Sequence, residues 1–263
     1  MKAAPAPQSG IRTIGLTRRD LDLLDYARLR VQFEKDRPDL VIHCAALSRT
    51  PECEAKPDWA RRLNVELTGV LSELCQAIPF IFFSSDLVFD GQTGNYKEAD
   101  KPNPLNVYAT TKADAEKIVL TNRRHTVVRT SLNAGTSPTR DKAFNEQMVK
   151  AWTRRETLKL FVDEFRSPIP AEVTASVIWD LALSNCPGLY HLGGTERLSR
   201  FEIGTAIAEK WPELNPKIEE AFSKDYPTPP RPADTSLDCT KIQAVLSFQL
   251  PAFRQWLADN PRI

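Results

Sequence analysis

Glycine is scarce at the start of this chain. Only Gly10 and Gly15 precede residue 60, and no G-x-x-G-x-x-G run occurs anywhere in the 263 residues. The sequence therefore lacks a glycine-rich strand-to-helix turn of the kind that cradles a pyrophosphate. The "GQTG" stretch at 91–94 has a G-x-x-G spacing, but it follows "LVFD" and reads as a loop. No sign of charge dominates either: 35 Lys and Arg against 34 Asp and Glu leave a formal charge of +1. That balance supplies no broad basic face, so nucleic acid is not an expected partner. No apolar run is long enough to span a membrane, and no charged-then-apolar leader opens the chain. The five cysteines (Cys44, Cys53, Cys75, Cys186, Cys239) are scattered, odd in number and never spaced C-x-x-C. They read as reduced thiols in a cytoplasmic protein, with neither a disulfide framework nor a metal site.

What is present is a strong alternation of strand-like and helix-like segments. Short apolar runs at 11–16, 39–47, 79–85, 125–131, 158–163 and 188–194 have the near-continuous apolar content of strands buried on both faces. Between them, Trp59, Leu63, Leu67, Val70, Leu71 and Leu74 repeat at three and four, marking one buried helix face. Further helical patterns fall at 105–121, 142–155, 171–184, 199–211 and 248–259. Alternating strand and helix predict an α/β fold with a doubly wound parallel sheet. Its ligand crevice belongs beyond the carboxyl ends of the strands. The Pro/Ala start, 1–10, reads as a disordered tail. Residues 11–150 form one expected unit, and 151–263 a smaller second one with segments returning to the first sheet.

The chemistry-bearing residues cluster in two places. "IFFSSDLVFDG" is a buried strand that ends in Ser84, Ser85 and Asp86. "NVYATTK" places Tyr108 and Lys112 one helical turn apart at the start of a helix, where they share a face. A hydroxyl, a phenol and an ammonium brought to one crevice suit reduction of a carbonyl. The ammonium favours the phenolate and lowers the phenol's pKa, the phenol gives a proton to the carbonyl oxygen, and Ser85 holds that oxygen by a hydrogen bond. The spacing alone equally allows serines that cap a turn and a tyrosine that merely packs.

Seven pieces in order, "VIHCAALSRT", "FIFFSSDLVFDG", "NPLNVYATTKADAEK", "VVRTS", "FVDEFRSPIP", "GLYHLGG" and "RPADTSLD", resemble the dTDP-4-dehydrorhamnose reductase family of extended short-chain dehydrogenase/reductases. The resemblance runs from about residue 11 to the end. It implies a Rossmann-type sheet with a smaller C-terminal substrate-binding part, and an oxidoreductase of dTDP-rhamnose biosynthesis that reduces a 4-keto nucleotide-sugar with NADPH or NADH. The family's triad falls on Ser85, Tyr108 and Lys112, with Lys112 also holding the nicotinamide ribose. Cofactor contacts are implied at Asp22, Leu23, Ala45, Ala46, Leu47, Tyr108 and Lys112, and substrate contacts at Ser85 and Arg231. A homodimer is compatible with it. Arg129 and Arg166 share with Arg231 the guanidinium chemistry that suits a pyrophosphate, although surface or sheet-end ion pairs explain all three as well. Asn64 falls on the long helix near the cofactor. Arg18 and Arg19 lean toward the 2′-phosphate of NADPH.

Three departures accompany the resemblance. The family's first strand and glycine loop have no counterpart, so the incomplete NAD(P)-binding unit is expected to begin at the second strand, from either a start-truncated reading of a longer gene or a true short form. Leu87 and Leu132 stand where the family commonly has Tyr and Trp. The alternative function is accordingly a non-catalytic binding module, truncated or regulatory. His43 and His191 read as hydrogen-bonded core residues and His125 as exposed. Asp163 and Glu164, adjacent in a strand, are expected to face opposite ways.

Overall fold

A computed structural model describes residues 10–226 and 229–260. The tail expected at 1–10 falls, apart from Gly10, outside the described residues. The chain enters helix α1 (Tyr26–Asp36), whose first turn is capped by Asp25 accepting from the Arg28 amide. It continues through β1 (Val41–His43), α2 (Thr50–Ala55) and α3 (Pro57–Arg61). A single π-helical turn, Arg62–Glu66, joins α3 to α4 (Leu67–Leu74). Then come β2 (Phe80–Ser85), α5 (Val107–Val119), β3 (Thr126–Thr130), β4 (Asn133–Ala134) and α6 (Phe144–Thr153). The second half holds β5 (Thr157–Phe161), β6 (Phe165–Arg166), β7 (Ile169–Pro170), α7 (Ala171–Ser184), β8 (Gly188–Leu192) and β9 (Leu198–Ser199). It closes with α8 (Arg200–Ala208), β10 (Lys217–Ala221), α9 (Thr240–Gln243) and α10 (Phe253–Asp259).

The main sheet is parallel, in the order β1-β2-β3-β8. Its two faces follow from the period of two along β2. Phe80 and Phe82 join Val127 against Leu29 of α1, Leu67 and Leu71 of α4, and Ala115 and Val119 of α5. Ile81 and Val128 pack on the opposite face against Val177, Ile178 and Leu181 of α7 and Ile242 of α9. Helices on both faces make the sheet doubly wound. β8, α7 and α9 are segments of the second half that return to the first sheet. A separate core forms around α6, α8 and α10, with Trp152, Leu160, Ile203, Ile207, Phe253 and Trp256. There β5 pairs with β10 in a small parallel sheet, so the strand predicted at 158–163 lies outside the main sheet.

The expected strand at 11–16 does not form. The segment has no regular structure, and Ile14 and Leu16 are 42% and 43% exposed. A strand exists only when a neighbour accepts its hydrogen bonds, and among the described residues nothing pairs with 11–16. β1 is bonded on one side only, to β2. His125, expected on the surface, is 1% exposed. Its ring nitrogens meet the Cys75 carbonyl at 3.1 Å and Ser72 Oγ at 3.2 Å, so the end of α4 satisfies both and allows the burial.

The "GQTG" loop is a clasp. Gly91 and Gly94 have φ of +78° and +67°, and a Cβ on Gly91 would stand 2.6 Å from the Ala233 amide, while one on Gly94 would strike the Asp234 carboxylate. Tyr96 completes the grip: its amide donates to the Ser236 carbonyl at 2.9 Å, and its carbonyl accepts from the Asp238 amide at 2.8 Å.

Candidate active site

β2 delivers Ser85 to the carboxyl edge of the sheet. There its hydroxyl accepts from the Leu87 amide at 3.2 Å, capping the short 3-10 turn Asp86–Val88, and donates to Asp86 Oδ1 at 3.2 Å. α5 starts at Asn106, whose side-chain oxygen accepts from the Ala109 amide at 2.9 Å. Its first two turns carry Tyr108 and Lys112, 9% and 2% exposed. The Lys112 ammonium lies 4.0 Å from the centre of the Phe82 ring and donates to no other described side chain. Burial pushes its pKa down to about 7, opposed first by the Glu116 carboxylate and then by Cys44. Burial also pushes the Tyr108 phenol up to about 12, against the pull of the adjacent Ser85 hydroxyl. The sequence argument had Lys112 lowering that phenol. Here desolvation outweighs any such effect, and the phenol holds its proton at neutral pH.

Asn64 sits in the π-turn, 1% exposed. Its amide brackets Leu47, accepting from the backbone N–H at 2.8 Å and donating to the carbonyl at 3.0 Å, and donates again to Thr111 Oγ1 at 2.9 Å. The turn holding Ala45, Ala46 and Leu47 is thereby fastened to α5 beside Lys112. Asp22 and Leu23 are not joined to this group by any hydrogen bond. Asp22 accepts from the Leu24 amide in an exposed turn, and Leu23 packs on the α1–α4 side of the sheet. Leu24 is the residue of that turn that reaches the cluster of Leu47, Cys53, Leu63 and Tyr108, which Leu87 also joins. Arg18 and Arg19 belong to an exposed turn.

Two buried ionic groups lie beside Ser85, Tyr108 and Lys112. Glu116, one turn beyond Lys112, accepts from Arg129 through Nε at 3.0 Å and Nη2 at 2.7 Å, and from Ser84 Oγ. Arg129 continues to His191 Nε2 at 3.3 Å, whose Nδ1 lies 2.9 Å from the Tyr96 carbonyl. Asp86 accepts from Ser131 at 2.9 Å and Thr235 at 3.0 Å, with Arg166 Nε at 3.7 Å. Arg166 pairs with Glu164 at 3.1 Å, and Arg231 approaches the same carboxylate at 3.5 Å. Asp163 instead binds the Ser223 amide and hydroxyl, so the two adjacent acids do serve separate places. Glu116 and Asp86 were overlooked as partners in the sequence. The signal for Glu116 was its place on the stripe Tyr108–Lys112–Glu116, where two buried charges four apart require compensation.

The profile of a family described as the RmlD substrate binding domain matches residues 3–260. The chain belongs to that family. Among its relatives, the methionine adenosyltransferase 2 subunit beta of Rattus norvegicus is 30% identical over 249 residues, spanning 91% of this chain and 75% of that one. A solved hypothetical dTDP-4-dehydrorhamnose reductase from Sulfolobus tokodaii superposes with a TM-score of 0.80 at 31% identity, covering 92% of this chain and 87% of the other. The dTDP-4-dehydrorhamnose reductase of Bacillus anthracis, solved in complex with NADP, has a TM-score of 0.84 at 23% identity, covering 93% and 87%, which speaks for the fold alone. The Rossmann-type architecture of this RmlD-family chain agrees with both structures. No helix among the described residues is long and apolar enough to cross a membrane.

Proposed function

We propose that this RmlD-family chain is an NAD(P)H-dependent oxidoreductase that reduces the 4-keto group of a nucleotide-sugar, in the manner of a dTDP-4-dehydrorhamnose reductase. One arrangement carries the reading: a protonated buried phenol, Tyr108, stands beside the Ser85 hydroxyl and one turn from the buried Lys112 ammonium. Tyr108 gives its proton to the carbonyl oxygen, and Ser85 turns its long bond away from Asp86 to hold that oxygen. Lys112 supplies positive charge next to the phenolate left behind.

The residues present suit the nicotinamide-riboside end of the cofactor. The buried Lys112 ammonium has donors to spare for a ribose diol, and the 45–47 turn is fixed to its helix by Asn64. When bound, the cofactor supplies hydride to the carbonyl carbon. The pyrophosphate end is less served: among the described residues no glycine turn precedes α1, and that helix N-terminus is already capped by the Asp25 carboxylate, which repels phosphate. Tyr108→Phe is expected to lower turnover of dTDP-4-dehydrorhamnose about 10²- to 10⁴-fold with unchanged thermal unfolding. Wild-type turnover in that variant would remove the assignment.

The likeness to the methionine adenosyltransferase 2 subunit beta supports a second reading, a non-catalytic binding module. Calorimetric titration with NADPH and NADH separates the two: micromolar binding supports the reductase, and no binding by the folded chain supports the module.

A further inference from the structure

Among the described residues, two buried side-chain polar atoms lack a hydrogen-bond partner, Tyr26 Oη and His43 Nε2. Burying such an atom unpaired is costly, so each one calls for a reason. The hydrogen-bonded core residue expected at His43 is indeed buried, 5% exposed, but it is unpaired at Nε2. His43 ends β1 opposite Phe82 of β2, and the period of two along β1 places it with Val41 on the α4–α5 side of the sheet. Its ring stacks on Phe80 and Phe82, with centroids 6.0 and 5.9 Å away and planes 22° and 25° apart. The same Phe82 ring carries the Lys112 ammonium at 4.0 Å, reached from α5. Lys112 makes no hydrogen bond or ion pair with any described residue. An unpaired imidazole nitrogen and an unpaired ammonium thus rest on one aromatic ring, on one side of the sheet. Burial first, and the nearby Lys112 charge second, hold the imidazole neutral. A neutral ring beside a cation turns its unprotonated nitrogen toward it, which gives Nε2 the lone pair and Nδ1 the proton.

The other side chains around Lys112 are committed elsewhere. On α5, Glu116 is bound by Arg129 of β3 and by Ser84 of β2. In the π-turn, Asn64 is spent on Leu47 and Thr111. Ser85 serves the Leu87 amide and Asp86. Cys44, the residue after His43, is a thiol that burial pushes up to about 11, so it stays protonated. Tyr108 keeps its proton for the same reason. We infer that His43 is the positioning residue of Lys112, its Nε2 taking one ammonium N–H through a single bridging water and so holding the ammonium beside Tyr108. The role rests on the reductase reading and deepens it, because Lys112 belongs to that chemistry. One water spans a donor and an acceptor that are close without touching. An ammonium with an acceptor gives up its proton less readily, so His43 widens the pH range over which Lys112 stays charged. The device needs an acceptor at the Nε2 position, whereas any aromatic ring would stack on Phe80 and Phe82.

The test is an NMR pH titration of the full chain with its lysines labelled at Cε, for wild type, His43→Phe and His43→Gln, with Lys112→Met assigning the Lys112 signal. His43→Phe keeps a ring on Phe80 and Phe82 and removes no side-chain hydrogen bond to a described residue, so the fold is expected to survive, as thermal unfolding will report. His43→Gln returns an acceptor near the Nε2 position. The expected result is a Lys112 midpoint about one pH unit lower in His43→Phe and at least partly recovered in His43→Gln. The alkaline limit of dTDP-4-dehydrorhamnose reduction should move in the same order. Equal Lys112 midpoints in wild type and His43→Phe would overturn the inference while leaving the reductase reading intact. Midpoints lowered equally in both variants would also overturn it, since packing and not an acceptor would then set the charge. A midpoint that falls in His43→Phe and recovers in His43→Gln, in a chain whose wild type reduces no nucleotide-sugar, would support the His43–Lys112 link and count against the reductase reading.

Discussion

The end of the main sheet that carries the triad and the segment 10–25 that leads into α1 were equally readable in the sequence as parts of one dinucleotide fold, yet they are built on different terms. Behind Ser85, Tyr108 and Lys112 the supporting polar groups answer to one another. Glu116 answers to Arg129, Asp86 to Ser131 and Thr235, and Asn64 to Leu47 and Thr111. Along 10–20 the contacts are local, such as Thr17 with Asp20 at 2.6 Å, and the apolar side chains of Ile14 and Leu16 face solvent. A site that exchanges protons must hold its groups in register through packing and charge. A surface segment without a pairing partner is held by neither.

This contrast can be broken most severely at Arg129. Arg129→Met leaves the Glu116 carboxylate 3% exposed and without its counter-ion, and is expected to cost about 3–5 kcal/mol in denaturant unfolding. The double variant Glu116→Gln with Arg129→Met should recover part of that loss. A fully additive pair would mean the two side chains do not depend on one another.

Lys112 gives the next effect. Its pKa in the fold, about 7, lies below its ordinary value of 10.5, so the fold bears the burial cost in full below pH 7 and sheds it as pH rises toward 10.5. Lys112→Met should therefore stabilise the protein more at pH 6 than at pH 10, while a reductase that uses the ammonium loses rate above about pH 7. A flat wild-type rate between pH 6 and 9 would show that the ammonium is not needed.

Acid acts through two further buried groups. His43 and His191 are pushed down to about 3 and about 4 by burial. The unfolded chain takes up protons near pH 6.5 that these rings refuse, so stability falls as pH drops from about 6.5 toward 3–4. Each ring contributes up to about 1.4 kcal/mol per pH unit within that window. His43→Phe should flatten the slope, and an unchanged slope would place the sensitivity elsewhere. At the weak end, Ile14→Ser is expected to stay within about 0.5 kcal/mol of wild type; a larger loss would show that 11–16 has a partner after all.

The legible features were those written into single segments. The near-continuous apolar content of "FIFFSS" marked a strand buried on both faces, and Tyr108 and Lys112 at one turn's spacing marked a shared helix face. Features that depend on a distant partner were not legible. "IRTIGL" has the composition of a strand, but strand formation belongs to a pair. His125 looked exposed at the start of β3 because the groups that satisfy it, Ser72 and Cys75, lie 53 and 50 residues earlier. Arg166 and Arg231 were open to a pyrophosphate or an ion pair in the sequence, and it is the fold that brings both to the Glu164 carboxylate.

The separation between Asp86 and Thr235, 149 residues, also sets a clock on synthesis. By the time Lys112 leaves the ribosome, all three triad residues have been made. The carboxylate beside them must still wait for Arg166 and then for Thr235, whose segment the Gly91–Tyr96 clasp can only then seize. A nascent chain released early would thus carry Ser85, Tyr108 and Lys112 without the lock, its Asp86 carboxylate served by Ser85 and Ser131 but lacking Arg166 and Thr235.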